Sequence, residues 1–125
     1  MSYTFETNSP IYLQLVQLFL KDIVNGDWPP GGRVASVRDL AVLYGVNPNT
    51  VQRSLAELVR DGLLYTERTS GRFITQNTEL ISRIRDRLAS DQIGIFLDQM
   101  RSLGYSQHQL QELVTEKWSE KYGHD

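Results

Sequence analysis

Ser36-Val37-Arg38-Asp39-Leu40-Ala41-Val42-Leu43-Tyr44, then Gly45-Val46-Asn47, then Pro48-Asn49-Thr50-Val51-Gln52-Arg53-Ser54-Leu55-Ala56-Glu57-Leu58-Val59-Arg60, is the stretch on which the fold turns. Ser36 and Asp39 have the spacing of a capping box, with the hydroxyl and the carboxylate each satisfying an orphan amide. Val37, Leu40, Ala41 and Tyr44 fall on one face and predict a short helix over about 36–44. Gly45 stops it with a left-handed backbone, and Val46 is placed to plug the gap between two helices. Asn47 then caps a second helix that has Pro48 at its first position. Its inner face is Val51, Leu55, Leu58 and Val59, and Asp61-Gly62 ends it. A short helix, a three-residue turn and a longer helix describe a helix-turn-helix. Antiparallel helix pairs with this spacing also occur without nucleic acid, so the flanking sequence has to decide.

Downstream, Leu63–Arg68 reads as a strand, Thr69-Ser70-Gly71 as a tight turn and Arg72–Thr75 as a returning strand. A small hairpin after a helix-turn-helix is a wing, and this reading puts Arg68 and Arg72 at its tip, within reach of a phosphate backbone or a minor groove. Upstream, Ser9-Pro10 opens a helix over about 10–25, with Ser9 as cap and Ile11, Leu15, Leu18, Phe19 and Ile23 as its core stripe. Asn25-Gly26 and Trp28-Pro29-Pro30-Gly31-Gly32 cannot continue that helix. After the wing, Asn77-Thr78 starts a long helical period carried by Leu80, Ile81, Ile84, Leu88, Ile95, Phe96, Met100 and Leu103, with Gly94 a candidate bend and Gly104 its end. Ser106-Gln107-His108-Gln109 is another capping box, followed by Leu110, Leu113, Val114, Trp118 and Tyr122 on one face. The expected fold class is mainly α with a small β-hairpin: a winged helix-turn-helix over 1–76, followed by a two-helix C-terminal hairpin over 77–125. Two helices with such apolar stripes need a partner surface.

Composition narrows the chemistry. There is no cysteine, which removes thiolate nucleophiles and every Cys-based metal site. The two histidines, His108 and His124, lie sixteen apart among polar residues and form no metal cluster. No apolar run approaches the roughly 18 residues that span a bilayer, and the N-terminus lacks the pattern of a signal peptide. The expectation is a cytoplasmic protein with no membrane partner, no metal and no cofactor. Net charge is −2, with 13 Lys and Arg against 15 Asp and Glu. Residues 1–75 balance at seven against seven, whereas residues 76–125 hold six basic and eight acidic groups. A phosphate-facing surface must therefore be local, and indiscriminate electrostatic binding weak.

The order and content of these elements resemble the GntR family of bacterial transcription regulators. The matching stretches are Pro10–Leu15, Gly26 with Pro30–Val34, Ser36–Ala41, Gly45–Val51 and Leu58–Leu64. The short C-terminal piece and the Asn47-Pro48-Asn49-Thr50 motif are similar to the YtrA-like subfamily, in which the resemblance implies that a helical tail makes a homodimer. Against the family pattern, Val34-Ala35-Ser36 replaces Leu-Pro-Ser, Thr69 replaces the first wing glycine, and Pro48 stands where many relatives have Arg.

The outward face of the second helix holds Asn49, Thr50, Gln52 and Arg53. Gln pairs with adenine N6/N7, Arg with guanine O6/N7, and Thr with a phosphate or a thymine methyl. The DNA-binding set is Arg38, Asn47, Asn49, Thr50, Gln52, Arg53, Arg68, Gly71 and Arg72, with Arg38 placed there by the resemblance. The bland alternatives are a solvated helix face for Gln52 and Arg53 and an acidic partner for Arg38. Glu57 and Arg60 are expected to pair with each other at the surface. The expected dimer stripe is Ile84, Leu88, Phe96, Met100, Leu110, Leu113, Val114 and Trp118. The expected function is a sequence-specific DNA-binding repressor, not an enzyme, that binds double-stranded DNA and itself at an inverted repeat. A small-molecule effector acting on the tail is left open. The alternative is a winged-helix protein-interaction module without DNA-binding activity.

Overall fold

Seven elements follow one another in the computed structural model, which describes residues 3–123; His124 lies outside the described residues. They are α1 (Ile11–Val24), α2 (Val37–Tyr44), α3 (Pro48–Arg60), β1 (Leu64–Glu67), β2 (Gly71–Ile74), α4 (Thr78–Ser102) and α5 (Gln107–Tyr122). The fold is the expected one, a winged helix-turn-helix with two C-terminal helices. The chain divides into two compact units, Met1–Arg85 and Asp86–Asp125, with the division inside α4.

The helix boundaries follow from their caps. Ser36 Oγ accepts from the Asp39 N–H at 3.1 Å, but Asp39 makes no return bond to the Ser36 amide among the described residues, so only half of the expected box forms. Gly45 ends α2 at φ 69 and ψ 39, the left-handed region, and its N–H and that of Val46 both donate to the Ala41 carbonyl. Asn47 Oδ1 accepts from the Asn49 N–H at 2.7 Å and Pro48 takes the first position of α3. The start of α1 differs from expectation. Pro10 itself is the cap residue, in an extended conformation and with no side-chain cap bond. Ser9 instead offers its carbonyl to Gln14 Nε2 at 2.9 Å, and Gln14 also exchanges bonds with the backbone of Glu6. One glutamine thus ties the preceding segment to the helix. At α5 both halves of the Ser106–Gln109 box form, and α4 runs through Gly94 without a break.

In the first unit, α1, α2 and α3 pack around Leu15, Phe19, Ile23, Leu40, Val51, Leu55 and Leu58, with Leu63, Leu64 and Ile74 closing the core from the wing. Val16 and Leu20 are buried as well, while Ile11, assigned to the stripe, is exposed. Ser54, the polar residue of this core, is fully buried, and its hydroxyl donates to the carbonyls of Tyr12 (2.8 Å) and Thr50 (2.9 Å). A small hydroxyl there lets α1 and α3 approach while leaving no unmet polar group. Ile81, on the first turns of α4, is also buried in this unit.

The wing pairs Leu64 with Ile74, Tyr65 with Phe73, Thr66 with Arg72 and Glu67 with Gly71. Its turn is Arg68-Thr69-Ser70, one residue earlier than expected, and Gly71 opens β2 at φ 101. Arg72 therefore stands in the strand opposite Thr66, not at the tip. The far edge of β2 is occupied by the segment after α1. Gly31 and Val34 donate to the carbonyls of Ile74 and Arg72, and Ile74 donates to Gly32, so the wing is rooted on three segments rather than two.

The second unit is the opposite case. Leu110 is its buried hydrophobic residue; Met100 and Leu113 are half-buried, and Ile95, Leu97, Leu103 and Trp118 are exposed, Leu103 at 69%. Among the described residues, no helix is long and apolar enough to cross a membrane.

Tyr44 generates a test of the first unit. Its ring meets Phe19 edge-on at 5.6 Å and Tyr3 at 4.5 Å, while Phe19 stacks on Trp28 at 5.0 Å. Burial, reinforced by Asp22 and Tyr3, pushes its phenol up to about 12. Burial also raises the Asp22 carboxyl, with Asp27 adding to the effect and Lys21 opposing it. An ordinary tyrosine titrates near ~10, so above that pH the unfolded chain releases a proton that the folded chain keeps. The contribution is level below pH ~10 and is lost as pH climbs through the folded-state value. Urea unfolding followed across that alkaline window should show the loss, and Tyr44→Phe should flatten it.

Candidate nucleic-acid interface

With Val51, Ser54, Leu55 and Leu58 facing the core at 0% exposure, the 3.6-residue period turns Asn49, Gln52, Arg53, Ala56 and Arg60 outward, and all five are exposed. These side chains form the ridge of the candidate surface. Thr50 is half-buried, on the flank toward α1, and its carbonyl is engaged by Ser54. Asn47 is exposed, and its side-chain oxygen already accepts one bond in capping α3, so its amide N–H groups are the freest for a ligand.

The two side chains best suited to reading bases are held from opposite flanks. On the wing side, Gln52 Oε1 accepts from Arg72 Nη2 at 2.8 Å. On the α1 side, the Arg53 guanidinium lies over the Tyr12 ring, 3.7 Å from its centroid. Gln52 and Arg53 each have a partner within the chain, and both remain exposed to solvent. Arg60 pairs with Glu57, as expected, and this pairing raises its pKa, the hydrogen bond contributing most.

Arginines frame the ridge. Arg38, in the first turn of α2, is exposed and has no hydrogen bond or ion pair among the described residues, so the acidic partner considered for it does not form. Arg68 is exposed on the wing turn, also without a partner among the described residues. An open cleft of about 530 Å³ runs between the start of α2 and the wing, lined by Arg33, Ser36, Val37, Asp39, Gly71 and Arg72. The Arg33 guanidinium lies alongside Gly71, 3.5 Å from where a Cβ would sit. Free amides of a helix N-terminus together with guanidinium groups favour phosphate.

Arg33 and Tyr12 escaped the sequence reading. Arg33 reaches the wing only because its segment pairs with β2, which no local pattern announces. Tyr12 lies off the apolar stripe of α1, and an aromatic residue beside a core stripe was the available signal. Among the described residues, no group of three or more His, Cys, Asp or Glu is placed to hold a metal ion.

In the second unit, Phe96, Met100, Leu110, Leu113, Val114 and Trp118 line one open groove of about 850 Å³, rimmed by Lys117 and Lys121. Six of the eight residues of the expected dimer stripe are therefore brought together. Ile84 and Leu88 are half-buried and are not part of that groove.

Comparison with known proteins places this geometry. The model of the family described as bacterial regulatory proteins, gntR family, matches residues 11–74. The HTH-type transcriptional regulator YhcF of Bacillus subtilis is 34% identical over 112 residues, covering 90% of this chain and 93% of that protein. The HTH-type transcriptional repressor YtrA of Bacillus subtilis is 37% identical over 73 residues, 58% of this chain and 56% of that protein. Among solved structures, a GntR family transcriptional regulator from Listeria monocytogenes superposes at a TM-score of 0.83 with 32% identity, covering 90% of this chain and 98% of that one. The N-terminal domain of AraR, solved in complex with a mutant of the operator ORR3, matches at a TM-score of 0.53 with 27% identity, over 56% of this chain and all of that one.

Proposed function

We propose that this chain, which belongs to the gntR family of bacterial regulatory proteins, is a transcriptional repressor that reads an inverted-repeat operator as a homodimer in the cytoplasm. Family membership makes it a transcriptional regulator with a DNA-binding domain, and its relatives are regulators rather than enzymes. The observation that carries the finer reading is the outward face of α3, where Asn49, Gln52 and Arg53 stand in a row framed by Arg38, Arg68 and Arg72. In this reading Gln52 and Arg53 contact base edges in the major groove. Arg38, Arg68 and Arg72 contact phosphate, while the Asn49, Thr50 and Asn47 amide or hydroxyl groups add short polar contacts. Gly71 supplies the positive φ at the base of the wing turn and leaves room for the Arg33 guanidinium beside it.

The homodimer is supported by the apolar surface of the second unit. Phe96 and Trp118 are 38% and 53% exposed, and Ile93, Ile95, Leu97, Leu103 and Val114 are exposed with them. A buried side chain of this size is worth roughly 1.5–3 kcal/mol, so a second copy of the same hairpin has much to gain by covering the stripe. A two-fold pair of wings then matches an inverted repeat with half-sites about one helical turn apart or at a comparable spacing. The repressor assignment is supported by the likeness to YtrA. Any small-molecule effector would act through the same tail.

Three tests follow this reading. Gln52→Ala or Arg53→Ala should cost on the order of 1–3 kcal/mol on a specific duplex, such as the region upstream of the gene, and much less on random DNA; equal losses on both would reduce these residues to backbone contacts. Arg38→Ala should weaken all duplexes alike, Arg72→Ala should in addition lose some preference for the specific duplex because it holds Gln52, and each should flatten the salt dependence by about one unit; an unchanged slope would turn those side chains away from DNA. Phe96→Glu combined with Trp118→Glu should leave the first unit folded but give a monomer in sedimentation, with most specific affinity lost. A double variant that stays dimeric would reject the tail as the interface, and a wild type that binds no duplex at any salt concentration would favour a protein-interaction module.

A further inference from the structure

We infer that Tyr12 is a positioning residue for base recognition: its ring is the platform that aims the Arg53 guanidinium away from the surface of α3 and into the groove. This rests on the reading of α3 as the helix that meets bases. An arginine side chain on an exposed helix face samples many rotamers, and fixing it on the DNA costs entropy at the moment of binding. Here the chain itself supplies a support for the guanidinium, which lies over the Tyr12 ring, 3.7 Å from its centroid. Stacking engages the flat face of the guanidinium and leaves its N–H edge free, which is the edge that pairs with guanine O6 and N7.

The platform is rigid because its backbone is anchored at the same spot. The Tyr12 carbonyl accepts the buried Ser54 hydroxyl at 2.8 Å, and Ser54 immediately follows Arg53. Ring and guanidinium therefore spring from two helices that are bonded together beneath them. The start of α1 is fixed in turn by Gln14, whose side chain bonds the backbone of Glu6 and Ser9. The Tyr12 ring is half-buried, on the flank of α1 next to α3 and outside the fully buried core.

The experiment selects duplexes from a pool with a randomised core using wild type, Arg53→Ala, Tyr12→Phe and Tyr12→Leu, and then measures each protein against the wild-type winner and the unselected pool at one salt concentration. Tyr12→Phe keeps the platform and should match wild type, whereas Tyr12→Leu should lose about 2- to 5-fold on the winner, the scale of a cation–π contact at an exposed site. Its affinity for the unselected pool should not move, which also verifies that it folds. Its selected sequences should lose preference at the same base positions as those of Arg53→Ala. Should the leucine variant lose both affinities and its thermal transition, Tyr12→pentafluorophenylalanine, similar in shape but reversed in the polarity of its ring face, replaces it and should show the same selective loss. Wild-type behaviour of both Tyr12→Leu and the fluorinated variant overturns the inference, as does a loss at base positions that Arg53→Ala leaves intact. If wild type selects a sequence that Arg53→Ala still prefers equally, the base-reading role of Arg53 fails and the platform with it. If wild type selects nothing, the DNA-binding reading itself fails.

Discussion

Burial of one face of α3 is the constraint from which the rest of the first unit follows. Val51, Ser54, Leu55 and Leu58 are completely inaccessible, and on a helix of 3.6 residues per turn the choice of the inner face fixes the outer one. Rotating α3 by one residue would drive Gln52 or Arg53 toward the core, where an unpaired polar or charged group is heavily penalised. The apolar pattern therefore decides both that the helix packs and which side chains it offers. Ser54 sharpens this. A larger residue at that point would separate α3 from α1, and a nonpolar one would leave the two carbonyls that it serves without that donor.

Because the outward side chains are fixed in direction, their neighbours can hold them in conformation. The wing reaches Gln52 through Arg72, and α1 reaches Arg53 through Tyr12. Each support is itself rooted: β2 between β1 and the Gly31–Val34 segment, Tyr12 on the Ser54 hydroxyl. Such ordering lowers the entropy lost when long polar side chains are immobilised on a ligand. In the proposed mode of binding, that bond between Gln52 and Arg72 couples the hairpin to the helix.

Most of this fold was legible because short-range signals carry it. Ser36, Gly45, Asn47-Pro48, Gly62 and Ser106 each act within one turn of the chain, and the helices start and stop where these residues put them. Ser9 misled because the cap role passed to Pro10 and its carbonyl was taken by Gln14, an interaction five residues distant. The hairpin turn slipped by one residue because Gly71 is needed at positive φ in the strand rather than inside the turn. What was illegible is long-range: the Gly31–Val34 segment against β2, the Gln52–Arg72 bond twenty residues apart, and Tyr12 beneath Arg53. The candidate residues could be chosen by type and face, whereas the restraints on them exist only once the elements have packed.

The charge distribution gives the surface its remaining character. A chain with a net charge of −2 attracts DNA only weakly as a whole, so the proposed function draws its affinity from a few well-placed guanidinium groups. Arg33, Arg38, Arg68 and Arg72 occur around α2 and the wing, and Glu57 is paired with Arg60 rather than left facing the groove. The acidic excess lies after residue 75, in the part that carries the exposed Phe96 and Trp118. The proposed pairing of two copies would compensate for weak background binding and a small contact area per copy, since doubling the contacts squares the discrimination without adding to nonspecific attraction of either half. In the proposed dimer, the exposed apolar residues of the tail and the sparse arginines around α2 and the wing are complementary parts of a single solution: selectivity assembled from two weak, well-aimed halves.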